Sequence, residues 1–227
     1  MPASHSLTAQ RLAHQVKADC LEPHQQPTDR RFKTSCDFYQ RYLLKHPYLS
    51  DFHCYTELLH AALLEGDPTV ISFCPQPFQL WIRKKRYTPD CYIQSEAQPR
   101  RVVELRPDGK MAEDQALLLV AYFQQYRMMF EVVSNESILA RETEALNWLE
   151  IVRILYHAST FITTEHERWV LEALSTDSPS TLGDLIDSGD RERTYLLEIA
   201  LFRLLHRGQI RAVLTDSPLD FDTEISL

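Results

Sequence analysis

The chain has few glycines, no long apolar run and no glycine-rich motif. Only five glycines occur among 227 residues, and none belongs to a phosphate-binding loop, which argues against a P-loop nucleotide site. No Gly-x-Ser-x-Gly elbow is present to indicate acyl transfer. A run of about 18 apolar residues, the length needed to span a membrane, does not occur, and the amino terminus lacks the apolar segment of a secretory signal. We therefore expect a cytoplasmic protein that does not engage a membrane.

The cysteines of the chain form no recognisable motif. The five cysteines are odd in number and widely spaced, with no Cys-x-x-Cys pair, which favours reduced thiols over a disulfide framework. Cys74 and Cys91 lie within apolar strand patterns, where a thiol behaves as a small hydrophobic side chain.

The net charge of −8 is distributed unevenly along the chain. Residues 1–49 carry seven basic and four acidic side chains, residues 50–130 carry nine and ten, and residues 131–227 carry eight and eighteen. Nucleic-acid affinity depends largely on neutralising phosphates with basic side chains. The acidic carboxyl-terminal part is therefore expected to contact a protein rather than DNA.

The apolar pattern predicts an α/β protein in three parts. Residues 1–49 are expected to be a helical, partly flexible segment, with a helix near Phe38 to Leu44. Residues 50–140 alternate short strands with helices, and Met111 to Gln125 has the 3.6-residue period of a helix that covers a sheet. The apolar positions of that helix are Ala116, Leu117, Leu119, Val120 and Phe123. Strands are predicted near residues 69–73, 78–83, 88–94, 101–106 and 129–133.

Residues 141–227 predict a mostly helical domain that ends in a β-hairpin. Helices are expected at Glu142 to Tyr156, Glu165 to Leu174, Thr181 to Ile186 and Glu192 to His206, with strands near 209–214 and 221–227. Three helices followed by a hairpin are typical of a winged helix, whose third helix reads DNA in many proteins. Because Asp216, Asp220 and Asp222 lie in the expected wing, the pattern favours a protein-docking winged helix over one that reads bases.

Two carboxylates are predicted on consecutive strands of the middle part. A Pro-Asp turn presents Asp90, and a following strand carries Glu104 and Arg106. Because strand side chains alternate between faces, Glu104 and Arg106 are expected on one side, and Val103 and Leu105 on the other. An acidic and a basic side chain would then be presented together.

Clustered carboxylates suit hard divalent cations such as Mg²⁺, which can supply the charge stabilisation that phosphodiester hydrolysis needs. A simpler interpretation is also open. Asp90 would then be an Asx-turn residue after Pro89, and Glu104 a solvated strand residue paired with Arg101 or Arg106.

The surrounding motifs extend the pattern over residues 55–107. Glu57 lies on a predicted helix, and the Asp-Pro-x-Val element from Asp67 and the Gln76-Pro77 step follow it. The Thr-Pro-Asp sequence ending at Asp90 and the Glu-x-basic-Pro sequence from Glu104 complete the order. Together these motifs resemble the TnsA family, the endonuclease subunit of heteromeric cut-and-paste transposases.

The resemblance implies a restriction-endonuclease-like mixed sheet with flanking helices in residues 50–140, followed by a winged helix in residues 141–227. Carried over by position, the catalytic residues would be Glu57, Asp90, Glu104 and Arg106. Glu57, Asp90, Glu104 and the carbonyl group of Leu105 would bind Mg²⁺ or Mn²⁺.

The chain departs from the family pattern at Arg106, where the family has lysine. A guanidinium stays protonated in proteins, so Arg106 is not expected to act as a general base. It could orient water or stabilise charge on phosphorus, or Lys84 or Lys85 could supply a migrated ammonium. The alternative is a catalytically degenerate nuclease fold that assembles or recruits the transposase on DNA ends.

The resemblance also implies partners. The protein itself would nick the 5′ ends of a mobile element. Its partners would be the double-stranded DNA ends of that element, an integrase-type transposase that cuts the 3′ ends, and an AAA+ regulator. A stand-alone repair or restriction nuclease is a third possibility. The basic side chains expected to contact DNA backbone are Arg83, Lys84, Lys85, Arg86, Arg100 and Arg101. A solvated hairpin is an equally good interpretation of the run from 83 to 86.

Overall fold

The computed structural model describes residues 12–176, 180–187 and 189–227 of a mixed α/β protein. The chain divides into two compact units, neither of which is a continuous stretch of sequence. Unit 1 contains residues 12–41, 45–58 and 69–140, and unit 2 contains residues 42–44, 59–68 and the described residues from 141 onward. No helix within the described residues is both long enough and apolar enough to cross a membrane.

Unit 1 is built on short strands, with a helix before and after its main sheet. Its strands are β1 (Val16–Ala18), β2 (Tyr39–Tyr42, whose last residue belongs to unit 2), β3 (Leu49–Phe52), β4 (Val70–Pro75), β5 (Leu80–Ile82), β6 (Lys85–Tyr87), β7 (Cys91–Ser95), β8 (Arg100–Arg106) and β9 (Met128–Ser134). Its helices are α1 (Arg30–Lys33), the start of α2 (Tyr55–Gly66), α3 (Glu113–Gln125) and α4 (Asn135–Leu139).

The main sheet has the strand order β4-β7-β8-β9. The pairs β4–β7 and β7–β8 are antiparallel, whereas β8 and β9 are parallel from Arg100↔Met128 to Arg106↔Ser134. A parallel pair needs a crossover connection, which α3 supplies. Smaller sheets have the orders β1-β5-β6 and β2-β3. Strand β8 is thus paired on both edges, which fixes the direction of each of its side chains.

The core of unit 1 lies between the main sheet and α3. Buried members include Phe78, Leu80, Tyr92, Val102, Leu119, Phe123 and Phe130. The buried face of α3 is displaced from the predicted one, because Leu117 and Val120 are 52% and 44% exposed. The helix instead buries Leu118, Leu119, Ala121, Tyr122 and Phe123.

The helix predicted near Phe38 to Leu44 was wrong, since β2 occupies Tyr39–Tyr42 and pairs with β3. Aromatic side chains favour extended backbone, and pairing with a neighbouring strand outweighs a weak helical spacing. The strand predicted near residues 78–83 is shorter, and Arg83 turns into β6 with a φ of 57°. Cys74 and Cys91 are free thiols, and both are buried.

Unit 2 combines helices with a small antiparallel sheet. Its helices are the rest of α2, α5 (Glu142–His157), α6 (Thr164–Thr176), α7 (Leu182–Leu185) and α8 (Arg191–His206), and its strands are β10 (Ser180–Thr181), β11 (Arg211–Ala212) and β12 (Glu224–Ser226). The sheet order is β10-β12-β11. The predicted helices and the terminal hairpin are confirmed, with each predicted strand shortened.

The end of α2 is packed tightly within unit 2. A Cβ atom added to Gly66 would lie 2.2 Å from Nε1 of Trp148, so the indole rests directly on the helix backbone. The carboxylate of Glu65 is fully buried and accepts hydrogen bonds from the Leu44 N–H at 2.8 Å and from Nε2 of His206 at 2.8 Å. The helix that carries Glu57 in its first turn therefore ends as a structural part of unit 2.

Candidate active site

Asp90 and Glu104 are joined by the main sheet. Asp90 immediately precedes β7, and its N–H donates to the Val103 carbonyl at 3.1 Å. Its Oδ2 atom accepts from the Leu105 N–H at 2.7 Å. The side chain of Asp90 is therefore anchored to the strand that carries Glu104. The Asx-turn interpretation, by contrast, would need a local bond within the turn itself.

Glu104 is a buried strand residue whose two oxygens are both engaged. Its Oε1 atom lies 2.5 Å from Nη2 of Arg106, which confirms that the two side chains share a face. Its Oε2 atom accepts a hydrogen bond from the hydroxyl group of Tyr87. The Glu104 side chain is only 4% exposed, so the solvated alternative is wrong, although pairing with Arg106 is confirmed. Arg101 instead contacts Glu131 at 3.2 Å.

Glu57 lies in the first turn of α2. Its Oε2 atom accepts from the His53 N–H at 3.0 Å and from Nε2 of Gln76 at 2.6 Å. The Cys54 thiol lies 3.5 Å from Oε1. The backbone bond from His53 is a helix-start contact, whereas the bond from Gln76 comes from a distant part of the chain.

Gln76 connects two of the three carboxylate-bearing segments. Besides its side-chain bond to Glu57, its N–H donates to the carbonyl of Asp90 at 2.9 Å. The residue is 3% exposed and has a φ of 40°. A left-handed backbone at a residue other than glycine costs about 1–3 kcal/mol, and the surrounding structure must impose it. In the sequence, Gln76 stands out only as part of a motif, and no pattern marks Tyr87.

The three carboxylates affect one another electrostatically. Burial raises the pKa of Glu57 to about 7, of Asp90 to about 6 and of Glu104 to about 8. The charge of Asp90 adds to the rise in the pKa of both glutamates. Arg106 acts in the opposite sense and lowers the pKa of Asp90 and Glu104. The site thus concentrates negative charge in a poorly hydrated place, with Arg106 offsetting part of it.

This donor set fits Mg²⁺ or Mn²⁺ in its chemistry. Both cations prefer carboxylate oxygens, and a divalent cation would offset the burial of negative charge, and the repulsion from Asp90 that adds to it at Glu57 and Glu104. The arrangement is not a ready-made cage, because no group of three or more His, Cys, Asp or Glu side chains within residues 12–176, 180–187 and 189–227 has metal-binding geometry. Glu57 and Glu104 are held by protein donors, so a cation shared by all three carboxylates would require one of these contacts to be exchanged. The ligand role of the Leu105 carbonyl stays a prediction.

The basic run from Arg83 to Arg86 forms the turn and second strand of the β5–β6 hairpin, with all four side chains exposed. Arg83 is held by Gln15 at 3.1 Å and lies 3.6 Å from Asp114. No side-chain hydrogen bond or ion pair holds Lys84, Lys85 or Arg86 to the part of the chain that the structure describes. A cavity of about 540 Å³ opens beside this hairpin; it is lined by Ile82, Arg83, Lys84, Lys85, Arg86, Tyr87, Asp114, Gln115 and Leu118.

The hairpin and the carboxylates share one residue. Tyr87 lines the cavity and donates its hydroxyl to Glu104. The remaining basic candidates have structural partners, since Arg100 donates to the Tyr126 carbonyl at 2.8 Å and Arg101 pairs with Glu131. Lys84 and Lys85 make no contact with the carboxylates in the described structure, so a migrated lysine base gains no support.

No protein-family model matches this chain, and no curated protein is significantly similar to it in sequence. The fold and the site define a mixed α/β protein with a cluster of interacting carboxylates, of which Glu104 is buried and Glu57 and Asp90 are half-buried.

Proposed function

We propose that this chain is a metal-dependent DNA endonuclease subunit of the TnsA type, which nicks the 5′ ends of a mobile element beside a separate transposase. The observation that carries the proposal is the convergence of Glu57, Asp90 and Glu104. They come from a helix start, a strand entry and a central strand. Burial raises the pKa of all three, and the charge of Asp90 raises those of Glu57 and Glu104 further. Clustered, perturbed carboxylates are more typical of functional sites than of packing.

The architecture supports the two predicted folds. In unit 1, a mixed sheet presents Glu104 on a strand paired on both edges, as a restriction-endonuclease-like core would require. In unit 2, the order α6, β10, α7, α8, β11, β12 and the sheet β10-β12-β11 support a winged helix. Its acidic composition favours a protein partner, which we propose is the transposase or its AAA+ regulator.

The residues of the site would have distinct roles in phosphodiester hydrolysis. Mg²⁺ or Mn²⁺, held by Glu57, Asp90 and Glu104, would supply Lewis-acid polarisation and neutralise developing charge. Asp90 is held in place by the Leu105 N–H, which orients it without consuming its second oxygen. Arg106 stays protonated and would stabilise negative charge on the phosphate or orient the attacking water, but it cannot accept a proton.

DNA would approach from the hairpin side of unit 1. Lys84, Lys85 and Arg86 are exposed and free to contact phosphates, and the cavity they line shares Tyr87 with the carboxylate site. Backbone contacts of this kind position a duplex without reading its sequence.

The test is strand nicking of a labelled transposon-end duplex by the full chain with its transposase partner, in Mg²⁺ and in Mn²⁺. We expect cleavage of the 5′ strand that EDTA abolishes and that Asp90→Asn lowers by about 10³-fold, since cation-based charge stabilisation is worth several kcal/mol. Asp108→Asn is the matched control, because Asp108 is exposed and its carboxylate contacts the backbone of Lys110. Equal nicking by wild type and Asp90→Asn would refute the proposed site.

One observation favours a second function, a silent nuclease fold that holds DNA ends or recruits the transposase. Arg106 and Tyr87 together engage both oxygens of Glu104, so this carboxylate is satisfied without a cation. Wild-type protein that binds transposon ends but never nicks them, while Arg106→Lys does, would establish this function instead.

A further inference from the structure

The carboxylate of Glu57 is held by a chain of two glutamine side chains that begins at the backbone of Asp51. Nε2 of Gln76 donates to Oε2 of Glu57 at 2.6 Å, and Oε1 of Gln76 accepts from Nε2 of Gln25 at 2.6 Å. Gln25 in turn donates to the carbonyl of Asp51 at 2.7 Å and accepts from its N–H at 3.1 Å. Each bond joins residues far apart in sequence.

The direction of this chain is fixed by Asp51. A backbone carbonyl can only accept and a backbone N–H can only donate, so Asp51 decides which end of the Gln25 amide faces each group. Gln25 then donates an N–H to Gln76, so the side-chain oxygen of Gln76 must accept this hydrogen bond. Gln76 is left with its NH₂ group toward Glu57, where it can only donate.

The backbone around Gln76 is locked as firmly as its side chain. Its carbonyl accepts from the Gln26 N–H at 2.9 Å, and the carbonyl of the next residue, Pro77, accepts from the His24 N–H at 3.2 Å. Residues 24–26 thus form a short strap over the Gln76-Pro77 turn. With the bond to the Asp90 carbonyl, these contacts hold Gln76 in the left-handed conformation described above.

We propose that Gln76 is a positioning residue of the nuclease site, which keeps the Glu57 carboxylate oriented for a divalent cation, and that Gln25, oriented by the backbone of Asp51, sets the polarity of its amide. This rests on the proposed function, because it assigns Glu57 to the cation. Groups that orient a metal ligand typically contribute 10–100-fold to metal affinity or activity.

The first experiment measures Mn²⁺ binding to the full chain by isothermal titration calorimetry at pH 8. Gln76→Met keeps the length of the side chain and removes the donor. We expect its Kd for Mn²⁺ to rise at least about 10-fold. Gln25→Met should raise the Kd in the same direction by a smaller factor, because Gln76 is then free to reverse its amide. The melting temperature in EDTA, measured for each variant, separates a lost ligand contact from a damaged fold.

Gln124→Met is the matched control. It makes the same substitution at an exposed glutamine of α3, outside the chain of bonds that holds Glu57. We expect an unchanged Kd for Mn²⁺ and unchanged nicking. If Gln76→Met does not fold, Gln25→Met carries the test alone.

The possible results distinguish the positioning role of Gln76 from the proposed nuclease function. Wild-type protein that binds Mn²⁺ and nicks DNA, with Gln76→Met and Gln25→Met binding equally tightly, would overturn the positioning role and leave the nuclease intact. Wild-type protein that binds no Mn²⁺ would overturn both. A raised Mn²⁺ Kd, accompanied by a matching rise in the Mg²⁺ concentration for half-maximal nicking, supports the role assigned to Gln76.

Discussion

Arg106 and Glu104 form an ion pair whose two members differ sharply in hydration. Nη2 of Arg106 lies 2.5 Å from Oε1 of Glu104, yet the arginine side chain is 41% exposed and the glutamate side chain is 4% exposed. The Arg106 guanidinium can therefore move to water or to a phosphate once a divalent cation replaces it beside Glu104, whereas the Glu104 carboxylate cannot leave the protein interior. Arg106 is placed to exchange partners when a cation or DNA arrives.

This asymmetry predicts different outcomes for two substitutions of Arg106. Arg106→Gln should lower nicking by about 10²-fold, the usual cost of removing one stabilising donor of developing charge. Arg106→Lys keeps the charge and should nick within about tenfold of wild type, which corresponds to about 1.4 kcal/mol. Single-turnover nicking at saturating Mg²⁺ measures both. An Arg106→Gln variant as fast as wild type would remove Arg106 from the mechanism.

The raised pKa values predict how stability depends on pH in EDTA. Glu57, Asp90 and Glu104 have ordinary pKa values of 4.5, 3.8 and 4.5, and folding raises them to about 7, 6 and 8. The folded state then binds more protons than the unfolded state between about pH 4 and pH 8. Their contribution to stability is complete below about pH 4 and is lost as pH rises through 8.

Melting temperatures at pH 5.5 and pH 8 test this linkage. Relative to a variant with Glu57→Gln, Asp90→Asn and Glu104→Gln combined, wild type should lose stability as pH rises, by up to about 1.4 kcal/mol for each unit of raised pKa. Mg²⁺ should restore more at pH 8 than at pH 5.5, because protons compete with the cation for the same oxygens. An identical Mg²⁺ effect at the two pH values would contradict a cation site at these carboxylates.

The basic hairpin predicts a specific change in the salt dependence of DNA binding. Lys84→Ala combined with Lys85→Ala should reduce the slope of log K against log salt concentration by about 2, near 0.9 for each lost phosphate contact. Arg211→Ala is the control, since it removes one exposed charge from the acidic unit 2. Fluorescence anisotropy across a salt series gives both slopes. An unaltered slope in the double variant would mean that Lys84 and Lys85 do not contact DNA phosphates.

Gly66 predicts a stability effect in unit 2. Gly66→Ala would place a Cβ atom 2.2 Å from Nε1 of Trp148, which must shift. Overpacking of this kind costs about 1–3 kcal/mol, whereas the gain in helix propensity is at most about 1 kcal/mol. The clash should prevail and lower the midpoint of urea unfolding, with Trp148 fluorescence altered. Gly189→Ala meets only the flexible side chain of Asp187 and should leave the midpoint nearly unchanged.

Local chemistry made part of the site predictable. Alternation along a strand was enough to place Glu104 and Arg106 on one face, and the ion pair confirms it. The same rule could not show that Glu104 is buried, because burial depends on Tyr87 reaching across from the strand of another sheet. The sequence alone is therefore compatible with a solvated Glu104, which the structure excludes.

The parts of the fold that sequence patterns missed depend on pairing between separate segments of the chain. Tyr39–Tyr42 has an apolar spacing compatible with a helix, but pairing with β3 makes it a strand. Gln25 and Gln76 lie 51 positions apart and have no charge or spacing that marks them as partners. Their relationship exists only once the strap and the turn are folded, so local periodicity carries no trace of it.

The register between β8 and β9 decides on which face of the sheet Glu104 lies. Seven residue pairs join β8 to β9, and a slip of one residue would exchange the face of Glu104 for that of Val103 and Leu105. A misregistered molecule would therefore lack Glu104 in the acidic cluster rather than hold it in a distorted position. A poorly refolded preparation should then behave as a dilution of competent protein, with a smaller single-turnover amplitude and an unchanged rate constant, so active-site titration would measure correct strand pairing.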